Sequence, residues 1–429
     1  MILYKMKAEE IKIWIQKERI QKKLIKGKII FLFHLERLNM KIGKTELIKR
    51  GQLFCRLRIL PLLNFIIMII SASFILWGQV IINNPEKPKN RRAGRVIQLE
   101  EVQRIEGDGK NLILRNPQQL TQLEDGSLIF FDYPYVYKVD KQGKFVFKIP
   151  KQGQGPGESQ YPNAYLIESN RLRLYSWVPP KVLEYDLSGK LLKEFKTPYH
   201  GPFYFLDIVD GKLYGVRDEI RFSDAIRQEG IIRTPYRLYE ISSDFKKLRK
   251  IYDIMMEHYI KNAHWVKRAM FTMVPYGHYL FYVHSAEYQI EKFDLKEERV
   301  DRIFGRRYSP ARTKEEEKEE EEDFKDPYEQ FPRGFRPPPQ HEFYVQRIQI
   351  FGDTLWVKTS TEKDEGSKWL IDVFDLNGNY IDCFYLNFPA NKQSRLSGFL
   401  ITNDGFIFVV EEEAETGLLS LAKYKLKSY

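Results

Sequence analysis

The sequence predicts an all-β fold: a six-bladed β-propeller with four-stranded blades, preceded by one N-terminal transmembrane or signal helix. Three observations predict it. Aromatic residues make up 14% of the 429 residues, with 26 tyrosines and 29 phenylalanines. Such side chains suit the half-buried faces of pleated sheets. A unit of turn, apolar strand, short loop, strand, turn and strand recurs six times between Asp125 and Leu426, the signature of a repeat architecture. Finally, a strand without a unit stands near the start, and a unit without its outer strand stands at the end.

In chain order, residues 1–58 form a basic leader. They carry 16 lysines and arginines against five acidic residues, an excess that equals the net charge of the whole chain, +11. The remainder is therefore balanced, which argues against a polyanion partner and excludes nucleic acid from the expected ligands. The stretch EEIKIWIQKERIQKKLIKGKIIFLF has a basic amphipathic pattern, suited to an anionic inner leaflet or to no function at all.

No charged residue occurs from Ile59 to Pro85. Residues 59–82 are long enough to cross a bilayer. Arg50, Arg56 and Arg58 precede them, so the positive-inside rule sends the following chain out of the cytoplasm. A cleaved signal, with Ser71 and Ser73 in a small-x-small pattern, and an uncleaved anchor both fit. A start at Met40 would give a more ordinary charged region. Residues 83–94 read as a polar linker.

The propeller is expected over 95–429. Its units read DGSLIFFDYPYVYKVDKQGKFVFKI, SNRLRLYSWVPPKVLEYDLSGKLLKEF, and DGKLYGVRD with YRLYEISSDFKKLRKI. They continue as YGHYLFYVHSAEYQIEKFDLKEERVDRIF, GDTLWVKTS with WLIDVFDLNGNYIDCF, and NDGFIFVVEEEAETGLLSLAKYKL. A short apolar stretch before each unit, such as NAYLIES, YFLDIVD or YVQRIQIF, supplies the inner strand. Alternation is plain in Leu183–Leu187 and Ala422–Lys427. The orphan strand RVIQLEEVQRI, Arg95 to Ile105, is expected to complete the last unit and so remove two exposed sheet edges.

The segment KQGQGPGESQYP, 151–162, poses the choice between a phosphate cradle and a turn. A cradle needs a following helix whose N–H groups face the anion. No helical pattern follows, no Gly-Lys-Ser/Thr occurs, and Glu158 stands where a dinucleotide motif needs glycine. The segment is expected to be a crossover between blades. On Gly-Gln-Gly-Pro-Gly-Glu, 153–158, after an outer strand and before a new blade, the chain resembles the bacterial six-bladed β-propeller family related to NHL-repeat proteins. The resemblance covers roughly 95–429. Ser159 departs from the aromatic that commonly follows the Glu, and Tyr161 can take that place. The resemblance implies a propeller and an envelope location. It implies no agreed reaction and no catalytic residues.

Turns within units are short, whereas 151–162, 218–235, 254–267, 306–343 and 361–368 read as insertions. All fall in second-to-third strand loops or in blade crossovers, which share one face, and long loops on a rigid scaffold carry binding. The 306–343 insertion is charged, with a capping-box pattern at Thr313 and Glu316 and a proline-rich end. Trp177, Arg217, His284, Lys358 and Glu411 fall near the insertion-face ends of second strands and are the candidate ligand contacts. Glu411, Glu412 and Glu413 end a blade strand and are expected in solvent, the alternative being an acidic channel rim.

No local spacing suits a metal. His278 and His284, six apart on an extended chain, would lie roughly 20 Å apart. His258 and His264, also six apart, would be off-face on a helix. Cys383, in an expected strand, reads as a small core side chain, and with only Cys55 besides it no disulfide framework fits the propeller. No nucleophile elbow occurs. The sequence thus predicts no cofactor and no metal. It predicts a monomeric binding or scaffolding propeller outside the cytoplasm, joined to the membrane through its N-terminal helix, whose partner is an envelope protein, peptide or glycan. The alternative is a hydrolase or lyase using a channel metal.

Overall fold

The computed structural model describes residues 79–218, 230–261, 264–267, 271–284, 287–307, 345–360, 368–388, 392–413 and 415–426. The basic leader, the apolar residues 59–78 and nearly all of the charged insertion lie outside them. Among the described residues there is no α-helix, and no helix long and apolar enough to cross a membrane.

Two strands precede the repeats, β1 (Val80–Asn84) and β2 (Arg95–Glu106). Blade 1 holds β3 (Gln118–Gln122), β4 (Leu128–Asp132), β5 (Tyr135–Val139) and β6 (Phe145–Ile149). Blade 2 holds β7 (Pro162–Glu168), β8 (Arg171–Trp177), β9 (Pro180–Asp186) and β10 (Leu191–Lys196). Blade 3 holds β11 (Phe205–Val209), β12 (Lys212–Asp218), β13 (Gly230–Ile241), β14 (Leu248–Lys261) and the added β15 (His264–Lys267). Blade 4 holds β16 (Thr272–Tyr276), β17 (Tyr279–Val283), β18 (Ile290–Asp294) and β19 (Arg299–Arg306). Blade 5 holds β20 (Val345–Phe351), β21 (Thr354–Thr359), β22 (Lys368–Asp375) and β23 (Tyr380–Asn387). Blade 6 holds β24 (Lys392–Ile401), β25 (Phe406–Glu413) and β26 (Leu419–Leu426). Within every blade successive strands pair antiparallel.

The core decides the ring. Buried apolar side chains form six clusters, and each lies between two adjacent blades. An open row of six blades has five such interfaces; a closed ring has six. Alternation produces this directly. On β21, Leu355 and Val357 pack toward blade 4 while Trp356 packs toward blade 6. Successive side chains of a strand point to opposite faces, so a blade needs apolar residues at every central-strand position. LIFFD, with all five residues buried, is such a run.

The orphan strand closes the last blade as the sequence predicts. Leu99–Glu106 of β2 pairs antiparallel with β26. The same strand does more than its pattern announced: Arg95–Gln98 pairs parallel with β23 and so joins blades 5 and 6 into one eight-stranded sheet. The end of the uncharged stretch is also structured. Val80–Asn84, read as the close of the apolar run and the start of a linker, lies parallel to β19 on the outer edge of blade 4. The Asn84 amide donates to Gly305 O and Gly378 O, and its oxygen accepts from Tyr380 N at 2.9 Å. Residues 80–106 thus stitch three consecutive blades from outside.

Two expected insertions are strands. Residues 230–235 and 254–261 extend β13 and β14 past the blade as one antiparallel hairpin, and β15 adds to it. The reason is alternation: Ile254, Met256 and His258 are buried, while Met255 and Glu257 face outward. His258 pairs with Lys267 and His264 with Lys261, so the two histidines are on separate rungs of neighbouring strands.

Candidate functional site

The long-loop face is organised by one structural position. Hairpin turns between the first two strands of blades 2 to 5 close on Glu168–Arg171, Val209–Lys212, Tyr276–Tyr279 and Phe351–Thr354. Five residues beyond each closing pair stand Ser176, Arg217, His284 and Thr359. In blades 1 and 6, registered by Gln122–Leu128 and Ile401–Ile407, the same level holds Asp132 and Glu411. All six are polar, and five of them are buried, with His284 only slightly open.

Their partners explain the pattern. Asp132 accepts from the Arg115 and Asn116 amides at 2.7 and 2.9 Å. Burial pushes its carboxyl up, and the two amides partly counter this. Ser176 Oγ meets Ser159 Oγ at 2.7 Å. Arg217 donates to His200 O and lies over Tyr199 and Phe203. His284 meets Met255 O at 2.9 Å. Asp132, Ser176 and Arg217 therefore each grip the segment that enters their own blade, whereas His284 reaches back to β14 of blade 3. Glu411 holds Arg104 of the closing strand at 2.8 Å and accepts from Tyr424. It is 0% exposed, so the expectation of solvent for this glutamate is corrected. Its arginine comes from a strand more than 300 residues away in sequence.

Of the five expected contacts, Arg217, His284 and Glu411 share this level. Trp177 and Lys358 are one residue off it, and the period of two turns them to the other side of the sheet. Trp177 packs on Tyr161 with ring centroids 5.5 Å apart. Lys358 is buried and donates to Thr359 O at 2.9 Å. The structure thus separates the five among blades 2 to 6. Of them, His284 borders a cleft.

That cleft has a volume of about 200 Å³ and is lined by Arg233, Met255, Glu257, His284, Glu287 and Gln289. The β13–β14 hairpin forms one wall and the end of β17 the other. Glu291 Oε1 lies 3.0 Å from His284 Nε2 and accepts from Gln289 Nε2 at 3.1 Å. Glu291 Oε2 accepts from Tyr282 at 2.5 Å. Both ring nitrogens of His284 face oxygens that only accept, which requires the doubly protonated ring. The energetics agree. Burial alone pulls the imidazole down, but the Glu291 carboxylate and the Met255 carbonyl outweigh it, so His284 titrates above the ordinary histidine value. Burial likewise opposes ionisation of Glu291, yet His284 and Tyr282 hold its carboxyl below the usual range. On the outer wall Arg233 forks onto Glu257 at 2.8 and 3.2 Å.

The cleft therefore presents fixed donors and acceptors around an exposed thioether, Met255. Its volume suits one side chain or one sugar ring rather than a whole cofactor, for which pockets of about 300–1,000 Å³ are usual. Among the described residues no group of three or more His, Cys, Asp or Glu is placed to hold a metal ion. Sequence reasoning missed Arg233, Met255 and Glu257 because it read their segments as loops. The outward alternation of Met255 and Glu257 was the available signal.

The crossover 151–162 resolves as a turn that carries its own anion. Lys151 and Glu158 form a parallel bridge, and the Gly155 amide donates to Glu158 Oε2 at 3.0 Å. The Gly155 carbonyl accepts from Lys181 Nζ at 2.8 Å, and the Gly157 amide donates to Glu194 Oε2 at 2.5 Å. Two amides of the glycine-rich turn are thus taken by two carboxylates of the same chain, Glu158 and Glu194.

With this geometry in view, one propeller family model agrees with the fold. A family model, DUF5128, described as a 6-bladed beta-propeller, matches residues 119–329. No curated protein matches the chain in sequence. Among solved structures, a Bacteroides fragilis protein presumed exported aligns at 14% identity and a TM-score of 0.48, over 81% of this chain and 100% of that one. YCF48 bound to D1 peptide aligns at 10% and 0.45, over 79% and 99%. A gluconolactonase of Xanthomonas campestris aligns at 11% and 0.42, over 76% and 99%.

Proposed function

We propose that this protein is an extracytoplasmic binding or scaffolding propeller that takes a peptide, protein segment or glycan on its long-loop face, with the cleft beside His284 as a subsite. The carrying observation is the cleft itself, whose walls are fixed before any ligand arrives. The His284 ring is held on both nitrogens, and the hairpin wall is braced by the Arg233–Glu257 pair. A pre-organised site spends little on ordering side chains when it binds. Met255 supplies apolar contact, and the surrounding charges supply orientation.

The uncharged stretch after Arg58 supports export, and Gly153–Glu158 supports a relation to NHL-repeat propellers. A reporter fused after Tyr429 tests the location: activity confined to the cytoplasm rules export out. Binding is tested on immobilised peptide and glycan panels with the whole chain. Met255→Lys should abolish capture of a panel member without lowering the melting temperature. Capture unchanged in that variant removes the cleft from the proposal.

A further inference from the structure

The outer rim of blades 4 and 5 carries a segment whose two ends are fixed and whose middle is basic. At one end, Asn84 of β1 is held by Gly305 O, Gly378 O and Tyr380 N. At the other, Gly94 N donates to Cys383 O at 2.9 Å, and Arg95 pairs with Asp382 at 2.9 Å. Both ends therefore rest on the same stretch of blade 5, residues 378–383. Between them, residues 85–93 form a run of turns on the surface. Lys87, Lys89, Arg91 and Arg92 stand on it, all exposed, against one acidic residue, Glu86. Arg95 has its carboxylate, whereas none of these four cations is in an ion pair among the described residues.

A basic loop by itself is a solvated surface. Two features set this one apart. The first is the apolar side chains around it: Val80, Val96 and Ile381 are all exposed. Ile82 and Asn84 of β1 turn toward blade 5, and Val80 is in phase with them. Val96 pairs with Tyr385, which is in phase with Ile381 on β23. Ile81, 64% exposed, turns to the other side of β1. But β1 is the outermost strand of its sheet, and a flat surface laid on a free edge meets both of its sides. The second feature is the preceding chain. β1 takes the last residues of the uncharged stretch, and residues 59–78 that remain are still long enough to cross a bilayer. Only Gln79 separates them from β1 in sequence.

We propose that this rim, residues 80–96 with Ile381, is a binding surface for an anionic lipid bilayer. Cations at the headgroups and apolar side chains at the acyl boundary are the two contributions that hold a protein surface to a membrane interface. Each cation near an anionic surface strengthens binding roughly fivefold. An acidic protein would match the charges equally well, and the uncharged stretch one residue away decides for lipid. The rim is separate from the cleft beside His284, and the proposal rests on the membrane or signal reading of residues 59–78 for that last argument alone.

The test is hydrogen–deuterium exchange of the whole chain in nanodiscs of phosphatidylcholine, with and without phosphatidylglycerol. Amides of residues 85–93 are expected to exchange several-fold more slowly when phosphatidylglycerol is present. The outer strand of blade 2, β10, which also exposes apolar side chains at Leu191 and Leu192, should exchange alike in both. Lys87→Gln with Lys89→Gln, Arg91→Gln and Arg92→Gln should remove the slowing and leave the melting temperature unchanged. Should that variant melt lower, high salt on the wild type serves, because screening removes the attraction of an exposed cation for a charged surface. Equal exchange in the two lipids, an equal slowing in β10, or a slowing that survives both the glutamine variant and high salt overturns the proposal. The reporter fused after Tyr429 fails independently: a cytoplasmic signal with the lipid response intact rejects export and keeps the surface.

Discussion

The Gly155 amide donates to the Glu158 carboxylate three residues ahead of it, at 3.0 Å, so the segment that most resembled an anion cradle already contains its anion. Gly153 makes this possible. Its φ is +148°, and a Cβ there would fall 2.0 Å from Glu158 Oε2. Gly153→Ala should therefore destabilise by about 1–3 kcal/mol, combining backbone strain with displacement of the carboxylate. Urea denaturation measures it. A change below about 0.5 kcal/mol would show that the loop relaxes freely and that the carboxylate is not structural.

The His284–Glu291 pair sets a pH window. The His284 value is raised above its ordinary 6.5, so its contribution is complete below that pH and is lost as pH rises through the raised value. The Glu291 value is lowered below its ordinary 4.5, so its contribution is complete above that pH and is lost as pH falls through the lowered value. The pair thus stabilises most between those two limits. His284→Gln should lower the melting temperature more at pH 5.5 than at pH 9. An equal loss at both would place the effect in packing rather than charge.

Buried Asp372 should be the most sensitive carboxylate of the blade 4–5 interface. It accepts from Arg306 at 2.6 Å, Tyr288 at 2.6 Å and Tyr380 at 2.8 Å, and it is 0% exposed. Asp372→Asn leaves the Arg306 charge uncompensated and should cost about 3–5 kcal/mol. Replacing both partners, as Asp372→Leu with Arg306→Met, should cost less than the single change. A double-variant cycle in guanidinium chloride decides, and an additive result would remove the pairing from the account.

The closing strand should govern cooperativity. Deleting 92–108 removes β2 and with it the pairing of both β23 and β26. The ring interface between blades 6 and 1 also loses Ile105, a buried member of its core. A broad, low-temperature transition is expected by calorimetry. An unchanged sharp transition would show that the ring holds without its strap.

The sequence by itself determined the blade count, the strand order within each blade and the strand that closes the ring. These rest on local alternation and turn residues, and a period of two is written directly in the order of side chains. It also located the long-loop face, because loop lengths are local. Only the tertiary structure decided which residues on that face meet. Trp177 and Arg217 occupy neighbouring positions on their strands, yet a shift of one residue sends them to opposite sides of a blade. Glu411 reads as one of three acidic residues at a strand end, and it is buried because Arg104 arrives from the far end of the chain. The cleft beside His284 exists because β13 and β14 run on together past their blade. Pairing across distant strands sums many weak terms that no local window contains, so the fold was legible in the pattern, whereas the neighbours that His284 meets were not.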